Sequence, residues 1–271
     1  TCNPDYPLHW FKQFLDSDAD IYQQAYTIFD NPFLPKEFIK NLCAEYEGTV
    51  YYERFIEGNW TLAEGLVFPR YEDALVDDVP NTLPQEYCIS LDYGTQNPFA
   101  GMLWERHGQV WYCIDELYYS GRDTGIQKTD GEYLDMLLEF AEPAIKFNQE
   151  HKRGGAFMGQ YTEPVQIIID PSAASMIALL NKDVHFSVIP ADNSVLDGIR
   201  NTNLAIQRGL IKVLRKCENW LMEMQSYVWD GDANEDRPVK DKDHLADSQR
   251  YFVQTKRLVD VQESYTSIFR R

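Results

Sequence analysis

Three carboxylates and an imidazole stand where they can act together. Asp92 closes the apolar run Tyr87-Cys88-Ile89-Ser90-Leu91, and Asp170 closes Val165-Gln166-Ile167-Ile168-Ile169. Asp247 follows His244 by three positions in Asp243-His244-Leu245-Ala246-Asp247-Ser248, so on a helix the two share a face. If the two apolar runs are neighbouring strands, their ends set Asp92 beside Asp170. Unpaired carboxylates that close repel one another and take up protons, a conflict that a divalent cation resolves. Oxygen-only ligation suits Mg²⁺ or Mn²⁺ rather than zinc. Two such ions roughly 3.5–4 Å apart can activate a water and steady the leaving 3′-oxygen of a phosphodiester. Asp92, Asp170 and Asp247 are therefore candidate metal ligands and catalytic residues. His244 is a fourth catalytic candidate, placed to orient the attacking water or to touch a metal-linked phosphate.

Each of these residues has a plainer reading. A strand-terminal Asp is often a turn or helix cap, and a His at a helix start is often solvated. Asp243 is either a further metal ligand or the cap of the helix that follows it. In Asp115-Glu116 strand alternation turns one of the pair inward, where an acid is costly unless paired or metal-bound; Glu116 is thus a candidate for the rim of the cluster. The three Asp gain weight together, because they occur in order across one sheet pattern.

The elements that must position them follow from periodicity. Tyr87–Asp92, Ala100–Glu105 and Val110–Tyr119 read as strands, with Gly108 turning a hairpin between the last two. Asp130 to Phe147 reads as one helix with Asp130 as its cap and Tyr133, Leu134, Leu137, Leu138 and Ala141 as its apolar stripe. Val165–Asp170 is β-branched and apolar enough to be buried on both faces. A helix then runs from Pro171 through Leu180, Phe186–Pro190 is a further strand, and residues 194–208 and 242–257 are helical. Strands in a meander followed by alternating helix and strand describe a mixed α/β sheet with helices on its faces. Ahead of it, residues 1–70 form a mainly helical, aromatic-rich segment, with a helix after Pro35. Residues 71–86 are acidic and carry Pro80, Asn81 and Pro84, the composition of a linker. Lys152–Thr162 reads as a flexible loop or hairpin.

The 271 residues are 44% hydrophobic and 14% aromatic, which supports a sizeable core and excludes wholesale disorder. No run approaches the roughly 20 apolar residues of a membrane span, and the opening Thr-Cys-Asn-Pro-Asp is no secretion signal. That opening, without an initiator Met, reads as a fragment or processed product. Five widely spaced cysteines suit a reducing compartment and read as small apolar fillers. The net charge of −18 opposes tight nucleic-acid binding, since phosphates are neutralised by Lys and Arg. Weak DNA affinity of the isolated chain follows, with help from a partner or another domain. Arg200, Arg208, Lys212, Arg215 and Lys216, and likewise Lys152-Arg153, Arg250 and Lys256-Arg257, could touch phosphates or, more simply, form a solvated face.

Several stretches resemble the large subunit of bacteriophage terminases. Thr1-Cys2-Asn3-Pro4 with Pro7-Leu8-His9-Trp10 resembles the segment closing the ATPase domain of that family. Asp30-Asn31-Pro32-Phe33-Leu34 and Gly58-Asn59-Trp60 through Phe68 are similar to the stretch joining ATPase to nuclease. Ser90-Leu91-Asp92-Tyr93-Gly94-Thr95, Ile169-Asp170-Pro171-Ser172-Ala173 and His244-Leu245-Ala246-Asp247-Ser248-Gln249-Arg250-Tyr251 resemble the three nuclease motifs. The last is the most specific, and it has Ser248 where the family often has Ala. The resemblance implies a ribonuclease H-like nuclease domain over residues 87–271 that cuts concatemeric double-stranded viral DNA into genome lengths. It also implies Mg²⁺ or Mn²⁺ held at Asp92, Asp170 and Asp247, with His244 assisting. The partners it implies are DNA, the portal protein and the small terminase subunit, in the host cytoplasm at the procapsid. No Gly-x-x-x-x-Gly-Lys-Ser/Thr loop occurs, so the ATP site is not in this chain. The interval between Asp92 and Asp170 is long for the family, as if an insertion lay around Lys152–Thr162.

Three rival readings differ in testable ways. Asp92-Tyr93-Gly94-Thr95 also matches the phosphate turn of the actin and sugar-kinase superfamily, but the second phosphate turn and a later Gly-Gly are missing. A junction resolvase or transposase would share the carboxylates without the N-terminal resemblance. A non-catalytic packaging-motor module would dock partners through its acidic surface.

Overall fold

The computed structural model describes residues 2–94, 98–152 and 162–259. The loop expected around Lys152–Thr162 lies almost wholly outside them, as do Thr1 and Thr95. The chain divides into two units, one of residues 1–71 and 224–242, the other of residues 72–223 and 243–271.

In the first unit, α1 (Trp10–Leu15), α2 (Lys36–Tyr46) and α3 (Val50–Phe55) are short helices. Pro35 stands at the N-cap of α2, where its missing N–H costs nothing. Arg54, almost fully buried, pairs with Asp236, whose other oxygen accepts from Arg54 Nη2 at 2.9 Å and from Ala63 N at 3.1 Å. Residues 224–242 thus fold with the N-terminal segment, which no local signal in the sequence announced.

The second unit is built on seven strands: β1 (Leu75–Val76), β2 (Tyr87–Tyr93), β3 (Phe99–His107), β4 (Val110–Tyr119), β5 (Val165–Ile169), β6 (Phe186–Pro190) and β7 (Ile211–Leu214). Their order is β1-β7-β4-β3-β2-β5-β6. β2, β3 and β4 form the expected antiparallel meander, while β5 and β6 add parallel to β2, and β7 and β1 add parallel to β4. Gly108 turns the β3–β4 hairpin at φ +64°, a conformation that suits glycine. The acidic stretch read as a linker contributes β1.

The helices of this unit are α4 (Gly121–Thr124), α5 (Asp130–Phe140), α6 (Glu142–His151), α7 (Ala174–Leu180), α8 (Val195–Gln207), α9 (Glu218–Ser226, whose last three residues belong to the first unit) and α10 (His244–Thr255). The single helix expected from Asp130 to Phe147 is two. The ladder breaks at Ala141, and Pro143 near the start of α6 gives up an N–H that is unpaired there anyway. The cap is Thr129 rather than Asp130: its hydroxyl accepts from Glu132 N, and the Glu132 carboxylate accepts from Thr129 N at 2.8 Å. Thr-x-x-Glu is a capping box, and it was there to be read.

On one face of the sheet Ile89, Leu91, Ile167 and Ile169 pack with Leu137, Met176 and Leu180. The other face carries α10. There Trp104 stacks on Phe252 with centroids 4.3 Å apart and planes within 3°, a contact contributing about 0.5–1.5 kcal/mol beyond its buried area. The Ser248 hydroxyl donates to Ser90 O at 2.9 Å, and its oxygen lies 2.8 Å from Ser90 Oγ. That pairing gives Ser248 a partner which an Ala at this position would lack. Cys88, Cys113 and Cys217 are buried as expected of fillers, whereas Cys2 is exposed and fills nothing.

Candidate active site

Parallel pairing of β2 with β5 sets Leu91 opposite Ile169. Asp92 and Asp170 each come one residue later, so the two adjacent strands deliver their carboxylates to the same end of the sheet. α10 supplies the rest by a match of periods. Two residues along a strand advance about 6.6 Å, and four along a helix about 6 Å. Ser90 touches Ser248, so Asp92, two residues on, meets His244, one helical turn back. His244 Nδ1 lies 2.9 Å from Asp92 Oδ2, both side chains mostly buried.

Each carboxylate is held differently. Asp92 has its pKa raised, first by burial and then, against the His244 hydrogen bond, by the charges of Asp247 and Asp243. Burial alone would lower the His244 pKa, but the hydrogen bond and charge of Asp92, with the charges of Glu223 and Asp243, outweigh it and raise it. Asp170 Oδ1 accepts from Ser172 N at 2.7 Å, and its Oδ2 accepts from Asn193 Nδ2 at 3.0 Å and from the Tyr251 hydroxyl at 3.3 Å. Burial works to raise the Asp170 pKa, yet these donors bring it below the ordinary value. Asp170 is thus a turn cap, through Oδ1, that keeps its other oxygen towards Asn193 and Tyr251. Tyr251 is pushed upward by burial and by the charges of Asp247, Asp92 and Asp170. All three carboxylates therefore act on one phenol.

Asp247 is buried, and its Oδ1 accepts from Arg250 Nε at 3.1 Å and Nη2 at 2.8 Å. Arg250 is only 2% exposed and also donates from Nη1 to Asn193 O at 2.8 Å and Ser194 O at 3.0 Å. It anchors Asp247 and does not face solvent as a phosphate contact. Asp243 takes the N-cap position of α10, but its side chain makes no capping bond.

The remaining candidates lie elsewhere. Glu116 leaves the rim for a structural post: its Oε1 accepts from Asn219 N and Nδ2 at 2.8 Å each, and its Oε2 from Trp220 N at 2.9 Å, capping α9. Asp115 is exposed beside Lys216. Arg200 pairs with Asp197, Arg215 with Asp77 and Lys256 with Glu86. Sequence reasoning missed Asn193 and Glu223, which lack any local pattern. It read Arg250 as a phosphate contact or part of a solvated face, neither of which a residue 2% exposed can be, and it passed over Tyr251. Among the described residues no three His, Cys, Asp or Glu side chains already stand at metal-holding spacing. The donor set nevertheless fits a hard divalent cation, being all oxygen, with Asp92 raised first by burial and then by the neighbouring acids.

A mixed sheet with a central meander, parallel flanks and acidic strand ends facing a His/Asp helix defines a ribonuclease H-like domain of nuclease type. Residues 89–256 match the family model described as the terminase RNaseH-like domain. The chain belongs to that family, the nuclease-type domain of terminase large subunits. It is 30% identical to the large terminase subunit of Escherichia phage T5 over 267 residues, covering 90% of this chain and 55% of that protein. The large terminase of a thermophilic bacteriophage superposes with a TM-score of 0.81 at 40% identity, over 94% of this chain and 60% of that one. The P22 large terminase nuclease domain shares the fold at 17% identity and a TM-score of 0.50, over 74% of this chain and 96% of that one. The chain thus spans little more than half the length of the large subunits it matches. Family membership displaces the kinase and recombinase readings. Among the described residues, no helix is long and apolar enough to cross a membrane.

Proposed function

We infer that the second unit is a metal-dependent endonuclease that cuts double-stranded viral DNA during genome packaging. The observation that carries this reading is the delivery of Asp92 and Asp170 to one end of two paired parallel strands, with His244 of the Asp247-bearing helix 2.9 Å from Asp92. Asp92, Asp170 and Asp247, with Asp243 as a further donor, would hold Mg²⁺ or Mn²⁺, two ions in all. When bound, such ions activate water and stabilise charge on the phosphodiester. The chain's own groups do the rest. Asn193, Tyr251 and Ser172 aim the Asp170 carboxylate, and Arg250 fixes that of Asp247. With Nδ1 engaged by Asp92, His244 offers Nε2 to the phosphate. Its raised pKa keeps it protonated to higher pH, which suits a donor to phosphate oxygen better than a base. The many intramolecular pairs of the basic residues support weak DNA affinity, and hence dependence on portal protein, small subunit and the ATPase part in the host cytoplasm. Residues 1–70 would be the closing part of the ATPase domain and its joining segment, followed by the 71–86 linker and the nuclease domain, within whose span residues 224–242 fold with the first unit.

The test is nicking of supercoiled plasmid with Mn²⁺, Mg²⁺ or EDTA, alongside D92A and D170A. Cleavage that needs metal and disappears in both variants is expected. A second reading is a docking module without activity of its own, which the net charge of −18 would suit. No cleavage by the folded chain in excess Mn²⁺, and none after the ATPase part is restored, would favour it instead.

A further inference from the structure

Glu223 is buried to 3% exposure and has no part in the chemistry described above. A helix begins with N–H groups that lack internal acceptors, and its own N-cap residue commonly supplies one. At the start of α10 the Asp243 side chain does not. Glu223 Oε2 instead accepts from Leu245 N at 2.7 Å and from Ala246 N at 2.9 Å. Leu245 and Ala246 are themselves buried, so solvent cannot readily take the place of that oxygen. The turn so capped carries Asp243, His244 and Asp247, and His244 makes the bond to Asp92. Glu223 is in turn fixed by α9, whose own N-terminus is held by Glu116 of β4. Two carboxylates therefore act in series, Glu116 seating α9 on the sheet and Glu223 seating α10 on α9.

We propose that Glu223 is a positioning residue for the metal-binding end of the sheet: by capping α10 from α9 it sets His244 and Asp247 against Asp92. This rests on the reading of Asp92, Asp170 and Asp247 as the metal-binding set. The comparison is E223A against E223Q, since Gln keeps an acceptor for the two amides and Ala does not. Amide exchange at Leu245 and Ala246, and the ring nitrogen shifts of His244, report the positioning without any cleavage. E223A is expected to lose protection at both amides and to release His244 from Asp92. Its Mn²⁺ requirement should rise, or its nicking rate fall, by roughly 10- to 100-fold, the usual range for a residue behind a metal ligand. E223Q should stay close to the unmodified chain in all three readouts. Unchanged exchange and ring shifts in E223A overturn the proposal, as do equal losses in both variants. If E223A does not fold, E223D, one methylene short of the amides, carries the same comparison. If the unmodified chain does not cleave, the nuclease reading fails while the exchange and ring measurements still decide the role of Glu223.

Discussion

Gly198 offers a sharp test of how Asp247 is held. It is the fourth residue of α8, and a Cβ placed there would lie 2.6 Å from Arg250 Cγ and 2.9 Å from Cδ. Arg250 must move, yet its guanidinium is tied to Asp247 Oδ1 and to the carbonyls of Asn193 and Ser194. Replacing Gly by Ala inside a helix gains about 1 kcal/mol of helix propensity. Overpacking costs about 1–3 kcal/mol, and each hydrogen bond lost from a charged group costs about 1.5–3 kcal/mol more. G198A should therefore be less stable than the unmodified chain by about 2 kcal/mol.

Gly131, the second residue of α5, is the control. Its added Cβ would meet only Thr129 Oγ1, at 3.9 Å, so G131A should gain about 0.4–1 kcal/mol. Urea unfolding of the three proteins, with equal slopes, reads the two signs directly. Metal-dependent nicking should fall in G198A, as Asp247 loses its anchor, and persist in G131A. If G198A unfolds at or above the urea midpoint of the unmodified chain, Arg250 is free to move and the account of Asp247 is wrong.

S248A removes the hydroxyl that bonds Ser90 O and Ser90 Oγ, and should lower unfolding stability by about 1–2 kcal/mol; an unchanged urea midpoint would show those bonds to be dispensable. Stability should also fall as pH rises from about 4.5 to 7, because burial, against the amide bonds of Ala246 and Leu245, raises the Glu223 pKa to about 7 from 4.5, so the folded state binds the extra proton in that window. The most this carboxyl contributes is about 3 kcal/mol. His244 acts in the same direction, its stabilisation fading as pH climbs past the ordinary imidazole value, whereas the depressed Asp170 contributes above the ordinary Asp value and is lost in stronger acid. Unfolding free energies at pH 5, 6, 7 and 8 should slope downward in the unmodified chain and flatten in E223Q, and equal slopes would refute the assignment. Finally, Mn²⁺ at a hundred times its dissociation constant should stabilise the chain by about 2.7 kcal/mol, a thermal shift that should vanish in D92A and D170A if those residues hold the ion.

The parts of the fold readable from sequence are those where one chain segment declares its own surroundings. β2 to β6 are long or β-branched enough to show, and α8 and α10 show by their stripes. β7, four residues of Ile-Lys-Val-Leu, becomes a strand because β4 offers an edge, and β1, only two residues, because β7 then offers the next. The split of α5 from α6 was hidden for a different reason. Tyr133, Leu137, Ala141, Ala144 and Asn148 are buried at spacings of three and four straight through the break, so the stripe stays helical where the helix does not. Only the proline at 143 marked the place.

The site divides along the same line. Asp92, Asp170, His244 and Asp247 could be picked out because strand ends and helix turns have fixed advances, and Asp92 and His244 then meet wherever Ser90 meets Ser248. Residues that orient those four come from elements with no sequence relation to them. Asn193 precedes α8, Glu223 lies in α9, and Arg250 sits in the quoted motif but works through a gap that only a glycine at 198 leaves open. Spacing can therefore nominate candidate groups for chemistry, whereas the groups that hold them in place are fixed by which helix lands on which. A substitution at Gly198 or Glu223 changes no candidate ligand. It should nonetheless alter the site through the second class alone, and this is why those two positions discriminate between a positioned metal centre and a chance gathering of acids.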